Sequence, residues 1–397
     1  MRKTNDLLPI SPDRRAETLL LELLAMPGGS GHERAVAEFV AERLREAGAP
    51  NNVLKFDQAH RKSALKGETG NLILRLRGTM RGPRRMLISH LDTVPICQGV
   101  RPAKRGKRIV SLDEHTGLGG DDRAGVAVLL STAIDLLEKQ LPHPPLTFLW
   151  TVQEEAGLHG ARHVTLGLLG KPSFAFNFDG NSPAQLTIGA TGGYRMNIEI
   201  RGLASHAGGH PEQGVSAIAI ASLAIADLVE NGWHGLVEKN GKRGTSNVGV
   251  IHGGAATNVV TDLVQIRAEA RSHHAKFRER IIAEIEKAFQ RAAKQVTNIA
   301  GQYGKAKIDG RLDYEAFCLS KDEPAVLAAQ RAVDAEARTA EVNISNGGLD
   351  ANWLTARGIP TVTLGCGQNQ IHTAQEWLDL AEFHSARRIA LRLATEA

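Results

Sequence analysis

Cysteine is scarce in this 397-residue chain: there are three, at Cys97, Cys318 and Cys366. They are an odd number, widely spaced and without a CxxC pair, which argues against a disulfide framework and a thiolate zinc site. A reducing, cytoplasmic setting is the expectation. Long apolar runs are also missing. The longest, around residues 126–137 and 217–229, are too short to cross a bilayer and carry Asp135 and Asp227. The opening MRKTNDLLPISPDRR has basic residues but no apolar signal core behind them. No internal repeat and no low-complexity segment stands out. Neither a membrane nor an export route is therefore expected.

Net charge is modest, +5 from 48 Lys and Arg against 43 Asp and Glu. Most of the local excess lies in Arg101–Arg108 (RPAKRGKR), which contains no aromatic residue. A groove for single-stranded nucleic acid would interleave aromatics with the basic residues. The stretch reads as a solvated loop or hairpin tip, and no nucleic-acid partner is expected.

What is present is the composition of a globular enzyme, 42% hydrophobic and 23% charged. A single core rarely grows past roughly 250–300 residues, so the length predicts two domains. Helical signals cover about 13–25 and a second segment from Ser30 to Ala47, where Ser30 and Glu33 have capping-box spacing. Strand-like segments at 71–77 and 84–89, a helix over 123–138, and apolar runs at 146–152 and 174–178 alternate as in an α/β layer fold. From about residue 191 the pattern changes to strand-helix-strand-strand-helix-strand, the split βαβ arrangement of a ferredoxin-like domain. Helix and buried-strand texture returns from about 319. The expected organisation is a larger domain in two parts, 1–190 and 319–397, interrupted by a smaller one at 191–318.

Five segments place acidic or histidine side chains just after a buried strand or in a glycine-rich turn: Ser89-His90-Leu91-Asp92-Thr93, Gly119-Gly120-Asp121-Asp122-Arg123, Gln153-Glu154-Glu155-Ala156-Gly157, Phe178-Asp179-Gly180 and Ile371-His372-Thr373. Carboxyl ends of strands in an open α/β sheet are where such folds place ligands. So many carboxylates in one place would repel without cations, and a dinuclear metal site removes that cost. Imidazole and carboxylate donors suit zinc, with manganese or cobalt as alternatives. Singly, each segment has a plainer explanation: Asp121-Asp122 as a helix N-cap, Asp179 as a turn former, Glu154-Glu155 as a solvated strand end.

Together, HLDT, GGDDRAG, QEEAG, FDG and IHTAQE closely resemble the co-catalytic zinc family of peptidase T, the aminoacylases and the glutamate carboxypeptidases. The resemblance covers nearly the whole chain. It implies a zinc-exopeptidase-like α/β/α catalytic domain with an inserted ferredoxin-like α+β lid or dimerisation domain, and two Zn2+ ions (Mn2+ or Co2+ possible). By position it implies His90 and Asp179 on one metal, His372 and Glu155 on the other, and Asp121 bridging both. Asp92 would fix the His90 imidazole and Glu154 would be the general base. The Asp121–Asp122 peptide is cis in relatives.

In the inserted domain, Ser205-His206-Ala207-Gly208 resembles the family's dimerisation-domain histidine motif. The resemblance implies that His206 stabilises the oxyanion in a partner subunit's active site, so a homodimer is expected. Asn258 and Arg271 would contact substrate, the arginine because its fork suits a carboxylate. Asp350, in Gly347-Gly348-Leu349-Asp350, is either a substrate-side group or a cap of the helix carrying Trp353. Peptidase T has histidine-proline-glycine where this chain has His206-Ala207-Gly208, a departure toward the aminoacylase and carboxypeptidase branch. The substrate is therefore expected to be a short peptide cut from its amino end, or else an N-acyl amino acid or carboxypeptidase substrate. A non-catalytic, metal-stabilised peptide-binding protein would lack a ligand or the base at 154, and neither is missing.

Overall fold

The computed structural model describes residues 10–396. The chain divides into two compact units, one of residues 10–189, 318–345 and 349–396, the other of Ala190–Phe317 with Asn346–Gly348. The sequence reading did not anticipate the return of 346–348 to the second unit.

The first unit is built on a mixed sheet whose order begins Leu54–Phe56, Leu72–Leu76, Leu146–Thr151, Arg85–His90, Phe174–Phe178, Thr361–Leu364 and Gln185–Ala190. The four central strands, from Leu146–Thr151 to Thr361–Leu364, run parallel, and the flanking ones are antiparallel. Both faces are covered, which explains the near-continuous apolar sequence of the central strands. Leu87, Phe148, Trp150 and Phe176 point to a core shared with the long helix Gly120–Glu138 and the C-terminal helix Leu380–Thr395. Met86, Ile88, Leu149 and Ala175 point to the opposite core, with Leu354 of the helix Asp350–Ala356. The fold is thus an α/β/α sandwich. Because the four parallel strands share one direction, their carboxyl ends, at Thr151, His90, Phe178 and Leu364, open at the same edge of the sheet.

A small antiparallel sheet carries the basic stretch. Pro102–Arg105 and Arg108–Ser111 form a hairpin, followed in the sheet by Trp377–Asp379. Lys104 pairs with Glu17 and Arg108 stacks on Trp377. The stretch is a hairpin with an exposed tip, as its composition suggested.

The second unit is a five-stranded antiparallel sheet in the order Gly235–Lys239, Lys242–Gly253, Leu263–Ser272, Gly192–Arg201, Lys305–Tyr314. The helices Ala217–Glu230 and Ala275–Gln295 share its core through Ile220, Ala224, Ile281 and Phe289, giving a ferredoxin-like layer. The edge strand Gly235–Lys239 was missed. Its signal was Asn240-Gly241, both left-handed (φ 53° and 71°), the residue pair of a tight hairpin turn.

One local expectation fails. The second helix starts at Arg34, and Ser30 and Glu33 form no capping box. The Ser30 hydroxyl donates to Asp92 at 2.6 Å, and Glu33 accepts the amides of Gly31 and Gln153. Partners far along the chain take both side chains from the local motif they spell.

Candidate active site

The strand Arg85–His90 delivers His90 at its last position, where the side chain is 2% exposed. Its Nδ1 lies 3.1 Å from the Asp92 carbonyl oxygen and 3.4 Å from the Asp92 carboxylate, so the ring is held from behind. Its Nε2 faces Asp121 Oδ1 at 3.0 Å. The other oxygen of Asp121 stands 3.2 Å from His372 Nε2, which in turn is 2.8 Å from Glu155 Oε1. One carboxylate therefore sits between two imidazoles, and Glu155 joins on the His372 side.

Glu154 and Glu155 are sequence neighbours, and in a regular strand they would face opposite ways. The strand ends at Thr151, and Gln153 takes a left-handed conformation (φ 56°). The chain then turns, and the amides of Glu154 and Glu155 both donate to the Asp92 carboxylate, at 2.9 and 3.2 Å. Asp92 thus orients an imidazole and a turn at once. Asn71 accepts the Val152 amide and donates to the Gly160 carbonyl, while Asp57 holds Asn71 in place. Glu33 stood out in the sequence only as half of a capping box, and the Asp57–Asn71 pair not at all, because their partners here are backbone groups with no motif of their own.

The Asp121–Asp122 peptide is cis. Asp122 is a helix cap, accepting the Gly125 amide at 3.1 Å, and it also accepts the His90 amide and the Gln368 side chain. Asp179 follows the strand Phe174–Phe178, with its amide bonded to the Leu364 carbonyl. Donor atoms of His90, Asp121 and Glu155 lie within 4.8 Å of one another, as do those of His90, Asp122 and Asp179. The second group includes Asp122, for which the sequence suggested no ligand role. Asp350 is buried, accepts the Thr151 hydroxyl, and has an oxygen without a partner. It is not the cap of its helix: Asn352 takes the Leu349 amide.

Charges in this cluster are strained without cations. Burial, reinforced by Asp121, pushes Asp179 up to about 8. Burial likewise raises Asp350 to about 6 and lifts Glu154 well above the usual carboxylate range. Hydrogen bonds to Asp121 and Glu155 push His372 up to about 10. Burial opposes a charge on His90, but Asp121 and Asp92 outweigh it and raise the imidazole. Buried acids that cling to protons, facing imidazoles that gain them, are what a site looks like when positive charge is called for. The donors fit metal ions. Two ligand atoms each about 2.0–2.2 Å from a tetrahedral zinc stand roughly 3.3 Å apart, near the 3.0, 3.2 and 2.8 Å separations seen here. Oxygen and imidazole nitrogen without thiolate suit zinc, manganese or cobalt.

In the second unit, the exposed His206 pairs with Val259, and the Ala207 amide donates to the Asn258 carbonyl. His206 and Asn258 thus lie on adjoining segments. Amides of Gly208 and Gly209 donate to His206 Nδ1 at 3.1 and 2.9 Å, so a neutral ring carries its proton on Nε2. Arg271 is apart from them on the strand Leu263–Ser272, and its fork is engaged by Glu269, Nε to Oε1 at 2.9 Å and Nη2 to Oε2 at 3.0 Å.

An α/β/α fold with histidines and carboxylates gathered at the carboxyl ends of its parallel strands is that of a metallopeptidase. The model of peptidase family M20/M25/M40 matches residues 86–396, and the chain belongs to that family. An uncharacterised Bacillus subtilis protein, YqjE, is 31% identical over 387 residues, 97% of this chain and 99% of its own. Among solved structures, a tripeptidase from Staphylococcus aureus superposes with a TM-score of 0.86 at 31% identity, covering 97% of this chain and 98% of that one. Aminopeptidase PepT from Bacillus cereus gives 0.83 at 31% identity, covering 98% and 99%.

Proposed function

We propose that this chain is a di-zinc exopeptidase that removes residues from the amino end of short peptides. The observation that carries the reading is Asp121, whose two oxygens face His90 and His372 separately. His90 and Asp179 would hold one ion, His372 and Glu155 the other, and Asp121 both. Bound there, the ions supply Lewis acidity toward a scissile carbonyl and toward the attacking water.

The remaining work falls to the chain's own residues. Glu154 takes the proton of the attacking water and delivers it to the leaving amine. Asp92 keeps the His90 ring and the Glu154 turn in register. His206, with its proton on Nε2, would donate to the oxyanion in the active site of a partner subunit, and Asn258 and Arg271 would hold the substrate's backbone or carboxylate. Since Glu269 already occupies two of the Arg271 donors, a substrate carboxylate would share the guanidinium rather than take its fork alone.

The tripeptidase and PepT likenesses at 31% identity favour peptides with a free amino end over N-acyl amino acids. A homodimer through the second unit is part of the proposal. Among the described residues Gly235–Lys239 pairs only with Lys242–Ser246, and beyond it Val250 and Ile251 are exposed on the same long strand. An open strand edge with apolar side chains is a surface for pairing. The test of the chemistry is hydrolysis of alanyl tripeptides by wild type and Glu154→Gln at equal metal content. A fully active Glu154→Gln enzyme would sink the assignment of the base, and sedimentation as a monomer would sink the dimer.

A further inference from the structure

The IHTAQE segment contains, besides His372, an acidic residue to which no role has yet fallen. Glu376 is 3% exposed, four residues beyond His372. Its Oε2 accepts the Gly119 amide at 2.7 Å and its Oε1 accepts the Asp121 amide at 3.1 Å. These amides lie in the turn ahead of the kink at Asp121–Asp122, before the regular part of the Gly120–Glu138 helix, where backbone donors lack helical partners. The fit is close: a Cβ on Gly120 would come within 3.2 Å of Glu376 Oε1.

A capping role alone would explain the two bonds, but it leaves out what they join. Asp121 is tied to the 372–376 segment twice, through its carboxylate to His372 Nε2 at 3.2 Å and through its amide to Glu376. The segment between is short and folded on itself, with the Glu376 amide bonded to the Thr373 carbonyl and His372 left-handed at φ 63°. The contrast with His90 is informative. His90 is buried and braced at Nδ1 by Asp92. The side chain of His372 is 47% exposed, and its contacts among the described residues are the prospective ligands Asp121 and Glu155. A metal-binding imidazole ordinarily has a partner that orients it. Here the loop is oriented instead of the ring.

We propose that Glu376 is a positioning residue that sets His372 against Asp121 and so controls occupancy of the His372 side of the metal site. This rests on the ligand assignment above. Replacing Glu376 by Gln keeps one acceptor oxygen but turns an NH2 group toward a backbone N–H, so one bond is lost and the loop is released. Glu376→Asp keeps the charge at shorter reach and should be milder. Gly120→Ala crowds the same carboxylate from the helix side.

The test is zinc titration of the metal-free protein by calorimetry, with no substrate present. Wild type is expected to take up two ions. Glu376→Gln is expected to bind one as wild type does and the other at least about tenfold more weakly, with Glu376→Asp and Gly120→Ala in between. Two-ion curves for Glu376→Gln that match wild type overturn the role of Glu376 while leaving the ligand set intact. Equal weakening of both ions, together with a lowered melting temperature of the metal-free variant, also overturns it, since that is what a purely structural cap would give. A wild-type curve lacking a second ion overturns the ligand assignment and this inference with it. Should Glu376→Gln fail to fold, Glu376→Asp and Gly120→Ala carry the same comparison.

Discussion

The Glu33 carboxylate reaches across 120 residues of sequence to accept the Gln153 amide at 2.9 Å. Gln153 is the left-handed residue from which the turn bearing Glu154 and Glu155 departs. Glu33→Ala would leave two buried amides unsatisfied, those of Gly31 and Gln153, at a cost of about 1–3 kcal/mol each. It would also loosen the turn. Peptide hydrolysis should fall by about tenfold to a hundredfold, chiefly in kcat, and a variant that loses stability with unchanged kcat would show that the turn is held by other groups.

The same residue predicts a pH dependence of stability. Burial, with Asp92 adding to it, raises Glu33 from 4.5 to about 7. An acid whose folded value is raised keeps its proton when the unfolded chain has lost it. Between about 4.5 and 7 the unfolded state therefore binds fewer protons, and stability falls as pH rises through that window. The full effect is on the order of 3 kcal/mol. Chelated wild type should lose stability from pH 5 to 7.5 in denaturant titrations, and Glu33→Gln should lose visibly less. Identical slopes for the two would contradict the assignment.

Glu154→Gln would remove the proposed proton carrier and leave the proposed ligands in place. Its kcat should drop by at least about 10², while the zinc content measured by atomic absorption stays at the wild-type level. A parallel loss of metal would mean that Glu154 holds an ion rather than a proton.

Metal should also stabilise the fold, because it would bind where buried carboxylates otherwise crowd. At a hundredfold excess over Kd the gain is about 2.7 kcal/mol. The melting temperature of chelated protein should rise on adding zinc, and rise less for His372→Ala. No response in wild type would argue against ion binding at this cluster.

Much of this was legible because strands and chemistry coincide in the sequence. HLDT ends one buried strand, FDG follows another, and QEEAG follows LTFLWT, so the site could be placed at strand ends before any geometry was known. What could not be read is the support behind it. Ser30 and Glu33 spell a capping box, yet they bond to Asp92 and Gln153, 62 and 120 residues away. Glu376 stands inside a recognised motif, but its partners are backbone amides at Gly119 and Asp121, and an amide leaves no trace in sequence. The missed edge strand was a different case, since Asn240-Gly241 announced the turn.

The central claim is a zinc-dependent aminopeptidase, and an unblocked tripeptide panel tests it most directly. Each peptide is incubated with zinc, with chelator, and beside an amino-terminally acetylated twin. The account predicts zinc-dependent release of the first residue that chelator and acetylation both abolish. Cleavage of the acetylated twins alone would contradict it and place the chain among the acylases, and no cleavage of either by metal-loaded protein would contradict catalysis altogether.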